Sequence, residues 1–274
     1  MKSTYIDQLE ENGYCIIKNA IDINAITTLR KKIVKLYESG EKPSIEKIPR
    51  LNQLSRVVYN PEHKDIYFSR TIFAIKPLRE ILIYFLNDEW YKQIPQTNPN
   101  YILRAMIARS SSDAKLPMHL DSFIPSCGKR SFIMQASLLL NDQTIENGCT
   151  VVVPGSHRSD EYAPPETFDS ATPILASKGD LVIWDSRLWH GALPNKAGVD
   201  RWSLISTFTR WWIKQNYQTP NAIPDNIYKE LTNEERSILG FCSHPPKNEF
   251  ERIDIKSGYE ILIKNEAQSN DNSK

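Results

Sequence analysis

The sequence lacks any run approaching the ~18 apolar residues that a membrane-spanning helix requires. Its opening residues, Met1 to Gly13, are too polar to hold the apolar centre of a signal peptide. Cysteine is scarce: four residues, at 15, 127, 149 and 242, form no Cys-x-x-Cys pair. That spacing excludes a zinc ribbon and a dense disulfide framework, and predicts a cytoplasmic protein with reduced thiols. Nor does charge of one sign prevail. Lys and Arg number 34 against 33 Asp and Glu, a formal net charge of +1, so no global field draws in nucleic acid or an anionic membrane. There is no internal repeat, and no low-complexity tract beyond the last polar residues.

What remains is an ordinary globular composition, 40% hydrophobic and 24% charged, which supports a sizeable core. At 274 residues the chain fits one domain with appended segments, because sandwiches and barrels of about 200–250 residues are routinely single domains. The pattern divides it into a helical part, about 1–98, a strand-rich core, about 99–213, and an extension, 214–274.

Gly13 to Ile17 reads as an entry strand, followed by a helix capped by Asp22 or Asn24, with Ile26, Leu29, Ile33 and Leu36 at helical spacing. Glu38 to Asn60, with Pro43 and Pro49, reads as loop. Leu78, Ile81, Leu82, Phe85 and Leu86 predict another helix. Strands are then expected at Tyr101–Arg109, Phe132–Leu140, Cys149–Val153, Asp180–Ile183 and Ser203–Thr209, separated by turn signals such as Asn147-Gly148 and Pro154-Gly155. Many short strands of this kind suggest a sandwich or jelly roll. One helix is expected near Asp225–Leu239, with a frayed end.

Five histidines occur, and two have informative neighbours. His119-Leu120-Asp121 places an imidazole and a carboxylate on one face of an extended strand. His190 ends the segment Trp184 to His190. Two imidazoles and one carboxylate form the facial triad of non-haem Fe(II) oxygenases, which leaves positions open for co-substrate and dioxygen. A lone His-x-Asp pair is more often structural, so an anchor is needed. Eleven residues past His190, Arg201 and Ser203 offer a guanidinium and a hydroxyl that could hold a terminal carboxylate. The alternative for Arg201 is a surface strand arginine.

Together these residues resemble the phytanoyl-CoA dioxygenase family of Fe(II)/2-oxoglutarate-dependent oxygenases. The resemblance runs through Glu11-Asn12-Gly13-Tyr14, His119-Leu120-Asp121, Glu146-Asn147-Gly148-Cys149-Thr150 with Val153-Pro154-Gly155-Ser156-His157, Gly179-Asp180-Leu181 to His190-Gly191, and Pro194-Asn195 before Arg201. It implies a mainly β fold with flanking helices around a double-stranded β-helix, the cupin-like jelly roll. It also implies His119, Asp121 and His190 as the catalytic metal ligands. Arg201 would bind the distal carboxylate of 2-oxoglutarate, with Ser203 in support and Arg104 as a further basic contact. The implied cofactors are Fe(II), 2-oxoglutarate and O2. The implied reaction is hydroxylation of a small molecule at an unactivated C–H bond, releasing succinate and CO2. Because Asp121 is a carboxylate, halogenation is not expected.

Two positions depart from the family: Leu120 stands where many members have Gln, and Ala192 where many have Ser. Asp185 and Asp180 are rival carboxylates near His190, Asp180 being expected to form a turn. His157 is expected to be structural. His63 and His244, read without acidic or cysteine partners, take surface or packing roles. Trp184, Trp189, Trp202, Trp211 and Trp212 are expected mostly in the core. Arg109, Phe123 and Arg130 flank the metal-binding segment as candidate substrate contacts. With Asn52, Gln53 and Arg56 in the predicted loop, the arginines hint at a polar or anionic small molecule. A catalytically silent jelly-roll binding protein is the alternative, and a nucleic-acid demethylase is disfavoured by the near-neutral charge.

Overall fold

The structure, a computed structural model, describes residues 4–40, 56–89, 95–125, 128–246, 248–250 and 258–261. The predicted loop residues 41–55, including Pro43, Pro49, Asn52 and Gln53, lie outside the described residues, as does Cys127. The chain divides into two compact units, Met1–Pro61 with Met106–Thr207, and Glu62–Ala105 with Phe208–Lys274.

The first unit opens with a helix that the sequence pattern did not reveal, α1 (Thr4–Asn12). Its buried residues are only Ile6 and Leu9, too few for a legible period. Gly13 ends it at φ +82°, and a Cβ there would meet His157 Nδ1 at 2.5 Å. Only glycine fits this conformation and this close approach. Strand β1 (Tyr14–Ile17) follows, and then α2 (Ile23–Ser39). Asp22, not Asn24, caps α2: its side chain accepts from Asn24 N at 2.8 Å and Ala25 N at 2.9 Å. Ile26, Leu29 and Ile33 bury one face of α2, and Tyr37 meets Trp202 edge-on.

The predicted loop before Asn60 contains a short strand, β2 (Val57–Tyr59). The remaining strands are β3 (Tyr101–Ser110), β4 (Leu116–His119), β5 (Ile133–Leu139), β6 (Thr150–Val152), β7 (Thr172–Pro173), β8 (Leu181–Asp185), β9 (His190–Ala192) and β10 (Trp202–Arg210). They build two sheets, ordered β1-β8-β5-β10-β3-β2 and β4-β9-β6-β7. The recorded pairs in both are antiparallel. Side chains from the two sheets meet in one buried cluster, Leu139, Val182 and Trp184 from one and Val152 from the other, with Ile174 and Leu188. This is the expected jelly-roll arrangement of facing sheets. The other face of the smaller sheet is covered too, where Phe168 and Ala171 pack on Met118, Val151 and Trp189.

The second unit is mainly helical. In α3 (Tyr67–Phe73) Phe68 and Ile72 are buried, and in α4 (Lys76–Leu86) Leu78, Ile81, Leu82 and Leu86 are. Arg210, at the end of β10, donates to Phe85 O at 3.0 Å and Asn87 O at 3.3 Å, so a cation satisfies carbonyls at the α4 C-terminus. The single helix expected near Asp225–Leu239 is two, α6 (Asp225–Glu230) and α7 (Asn233–Ile238), after a short α5 (Thr219–Ala222). Thr232 and Glu235 form a reciprocal capping box that starts α7 and so interrupts the longer helix.

The same unit buries an unusual acid. Glu62 is 2% exposed, and its carboxyl lies 3.6 Å from His63 Nε2, so His63 has an acidic neighbour that the sequence reading did not assign. Burial pushes the Glu62 carboxyl up from its ordinary 4.5 to about 8, against the pull of Lys64. Burial and Lys64 together push His63 down to about 4. The fold therefore favours protonated Glu62, a contribution complete below the unfolded value of 4.5 and lost as pH rises through about 8. It favours neutral His63, a contribution lost as pH falls from 6.5 towards 4. The two slopes oppose each other in acid, and of this pair only Glu62 acts between pH 6.5 and 8. In that window stability falls with rising pH by up to ~1.4 kcal/mol per unit. Glu62→Gln is expected to flatten this slope in chemical denaturation, and an unchanged slope would refute the assignment.

Candidate metal centre

The short pairing of β4 with β9 sets the centre. His119 stands directly opposite His190 in the antiparallel register, so both side chains project from the same face. Their ring centroids are 4.2 Å apart. His119 Nδ1 lies 2.8 Å from Pro117 O and His190 Nδ1 lies 2.9 Å from Leu188 O. A carbonyl only accepts, so both Nδ1 atoms carry the proton and both Nε2 lone pairs are left for a ligand.

Asp121 lies two residues beyond the end of β4. Its backbone N–H donates to Ser186 O at 2.8 Å, and Ser122 N–H donates to the same oxygen at 3.0 Å. Its carboxylate reaches both imidazoles, with Oδ2 3.3 Å from His190 Nε2 and Oδ1 3.6 Å from His119 Nε2. One ligand atom from each of the three residues lies within 4.8 Å of the others. Burial opposes ionisation of Asp121, yet His190 and His119 outweigh it and hold the carboxyl well below its ordinary value. Burial likewise opposes a charged His190, and the Asp121 carboxylate raises it nonetheless. Two imidazoles, each held from behind and each able to bind a metal through Nε2 in its neutral form, and a carboxylate beside them are a donor set that suits iron(II).

Ser186 O is itself held in place. Asp185 and Arg187, both buried, form a two-pronged pair at 2.9 and 2.8 Å. Ser131 Oγ donates to Asp185 at 2.5 Å, and Arg187 Nη1 donates to Gly128 O at 2.6 Å. The rival carboxylate Asp185 is thus spent on a buried ion pair flanking the Asp121 anchor. Asp180 joins Lys18 Nζ at 2.8 Å and the N–H groups of Asn19 and Ser177, the turn role expected of it.

Arg201 is 7% exposed, so it is no surface arginine. Its Nε donates to Asn147 O, Nη2 to Gly148 O at 2.7 Å, and Nη1 to Gln143 Oε1 at 2.8 Å and Ser203 Oγ at 3.3 Å. Gly148 has φ +81°, and a Cβ there would meet Leu193 O at 2.7 Å, so the Asn-Gly turn is what offers these carbonyls. Each of these acceptors is neutral. Burial, against the pull of Cys149, pushes the guanidinium down to about 10. A buried cation held by neutral groups fits an incoming carboxylate, since the cost of burying its charge is relieved by an anion.

Elsewhere the sequence candidates separate. Trp184, Trp189 and Trp202 are buried, while Trp212 is 52% exposed. Trp184 lies 5.4 Å from the His190 ring, and its indole N–H is buried without a partner. His157 packs on Gly13 with Nε2 3.3 Å from Glu10 O, and it is not in the ligand cluster. Arg104 belongs to the second unit, where its Nε donates to Lys214 O at 3.3 Å. Arg109, on β3, is electrostatically coupled to Asp121, His190 and Arg201. Arg130 is exposed, and Phe123 is exposed at φ +65°. The sequence reading missed Gln143, the Asp185–Arg187 pair and Gln135, whose Nε2 donates to Asp121 Oδ2 at 3.0 Å. A polar residue inside an apolar strand run was the available signal for Gln135.

The model of the family described as phytanoyl-CoA dioxygenase matches residues 9–203. An uncharacterized protein of Mycobacterium tuberculosis is 26% identical over 264 residues, covering 90% of this chain and 90% of its own. Dioxygenase himG of Aspergillus japonicus is 22% identical, over 94% of this chain and 86% of its own. Among solved structures, HygX from Streptomyces hygroscopicus, with nickel and 2-oxoglutarate bound, superposes with a TM-score of 0.61 at 16% identity. That likeness covers 78% of this chain and 89% of HygX, and concerns the fold.

The two aspartates are separable by experiment. Asp185→Ala leaves Arg187 buried without its partner and is expected to cost about 3–5 kcal/mol in denaturant unfolding. Metal binding by the fraction that remains folded should persist. Loss of metal with stability intact would make Asp185 the ligand.

Proposed function

The chain belongs to the phytanoyl-CoA dioxygenase family and is an Fe(II)/2-oxoglutarate-dependent dioxygenase, and on that premise we propose that it hydroxylates a small molecule at an unactivated C–H bond. The observation that carries this reading is the convergence of one ligand atom each from His119, Asp121 and His190 within 4.8 Å. Iron(II) with 2-oxoglutarate and O2 supplies the oxidising chemistry, with succinate and CO2 as the co-products.

The chain's own contribution is positioning. His119 and His190 would hold the metal through Nε2, each imidazole aimed by the carbonyl behind its Nδ1. Asp121 would supply the anionic ligand, its main chain pinned to Ser186 O. Arg201 would take the distal carboxylate of 2-oxoglutarate, with the Ser203 hydroxyl beside it. The buried Trp184 indole near His190 would add an N–H donor and shield that side from water. Nothing in these roles requires a macromolecular substrate, and the near-neutral net charge of +1 is in keeping with a small one.

Anaerobic titration with Fe(II) and 2-oxoglutarate is expected to produce the weak visible band of the chelated co-substrate in the native chain and none in His119→Ala. Arg201→Ala should keep metal binding but raise the 2-oxoglutarate needed for half-saturation roughly 10- to 100-fold, the scale of a charge-assisted hydrogen bond. An unchanged titration in Arg201→Ala would remove it from the co-substrate site.

A further inference from the structure

Strand β5 is buried along its whole length, yet it carries an amide. Gln135 is 6% exposed, flanked by Met134 and Ala136, and stands opposite Trp184 in the β5–β8 register. A buried amide is costly unless its polar atoms are matched. Both ends of Gln135 are. Thr207 Oγ1, on β10, donates to Gln135 Oε1 at 2.7 Å, and Gln135 Nε2 donates to Asp121 Oδ2 at 3.0 Å.

The direction of this relay follows from elementary chemistry. The Asp121 carboxylate can only accept, so the amide must turn its NH2 towards it. The amide oxygen then needs a donor, and the Thr207 hydroxyl is that donor. In the flipped amide, Oε1 would face a carboxylate oxygen, two acceptors in opposition. The Asp121 carboxylate therefore decides which way Gln135 points, and the Thr207 hydroxyl satisfies the amide oxygen and holds it in place. Gln135 in turn restrains the plane of a carboxylate whose two oxygens lie 3.6 and 3.3 Å from the His119 and His190 Nε2 atoms. The main-chain bond to Ser186 holds the Asp121 backbone, and this relay holds its side chain.

We infer that Gln135, held by Thr207, is a positioning residue of the metal centre, presetting the Asp121 carboxylate for the metal. The inference rests on the reading of His119, Asp121 and His190 as metal ligands. Because Thr207 acts only through Gln135, the two residues form one unit, and their contributions to metal affinity do not add.

The test is anaerobic calorimetric titration of the full chain with Fe(II) alone. It compares the native protein, Asp121→Ala, Gln135→Leu, Thr207→Val, Thr207→Ser and the Gln135→Leu/Thr207→Val pair, with circular dichroism and Tm recorded for each. Gln135→Leu is expected to weaken metal binding roughly 10- to 100-fold, the usual effect of losing such a partner. Thr207→Val should weaken it less, and Thr207→Ser, which keeps the hydroxyl, should match the native protein. The double variant should match Gln135→Leu. Native affinity in Gln135→Leu, when Asp121→Ala has lost the metal, overturns the inference and leaves the metal site standing. Additive losses, or failure of Thr207→Ser to restore affinity, overturn it also. If the native chain binds no Fe(II), the ligand reading itself falls. Should Gln135→Leu not fold, the Thr207→Val and Thr207→Ser pair decides the question, as a hydroxyl-dependent affinity at equal Tm supports the relay and equal affinities refute it.

Discussion

The antiparallel pairing of β4 with β9 is the constraint on which the centre depends. Three or four residues on each side are enough to place His119 opposite His190, because directly opposed residues in a ladder share a face. A slip of one residue would turn one imidazole to the other side of the sheet. Strand β6 holds that register from the far side, where Val152 pairs with His190 and Val151 with Gly191. Packing of Phe168 and Ala171 on the covered face then excludes water from the short ladder.

Around this ladder the interior is polar by design of the fold rather than by accident of sequence. The Asp185–Arg187 pair, a buried ion pair of the kind that contributes little net stability, joins the end of β8 to the loop that leads to β9. Its value is geometric, since it brackets Ser186, whose carbonyl receives two N–H groups from the Asp121 segment. Arg201 sets a second requirement. Four neutral acceptors orient its guanidinium without neutralising it, so the fold carries a buried positive charge whose natural complement is a carboxylate.

Much of the fold was legible, for identifiable reasons. The five core strands read from the sequence agree with β3, β5, β6, β8 and β10 within two residues, because buried apolar runs between turn signals carry a strong local pattern. Helix α2 was legible from its Asp22 cap and its apolar spacing. Strands β2, β7 and β9 were not, since two or three residues hold no period and exist only through their partners. Helix α1 was missed for the same want of pattern, and the α6–α7 break because the Thr232 capping box overrode a continuous helical run. Glu62 and His63 show the limit for single residues: they are adjacent in the chain, but only packing buries the acid.

The sequence by itself determined the chemistry available: two histidines, a carboxylate two residues from one of them, and an arginine eleven residues past the other. Those intervals are local, but strand periodicity alone does not explain them: β4 ends at His119, and Asp121 is brought to the imidazoles by its turn against Ser186 O. Tertiary structure alone decided the partners of each carboxylate. Asp185 is the nearer rival to His190 in the chain, while the family resemblance favours Asp121; in the fold Arg187 claims Asp185, and the opposed imidazoles lie against Asp121. The same is true of the Thr207–Gln135–Asp121 relay, whose members are 72 and 14 residues apart in the chain. No local pattern encodes a hydrogen bond across such separations, because it forms only once the sheets have packed.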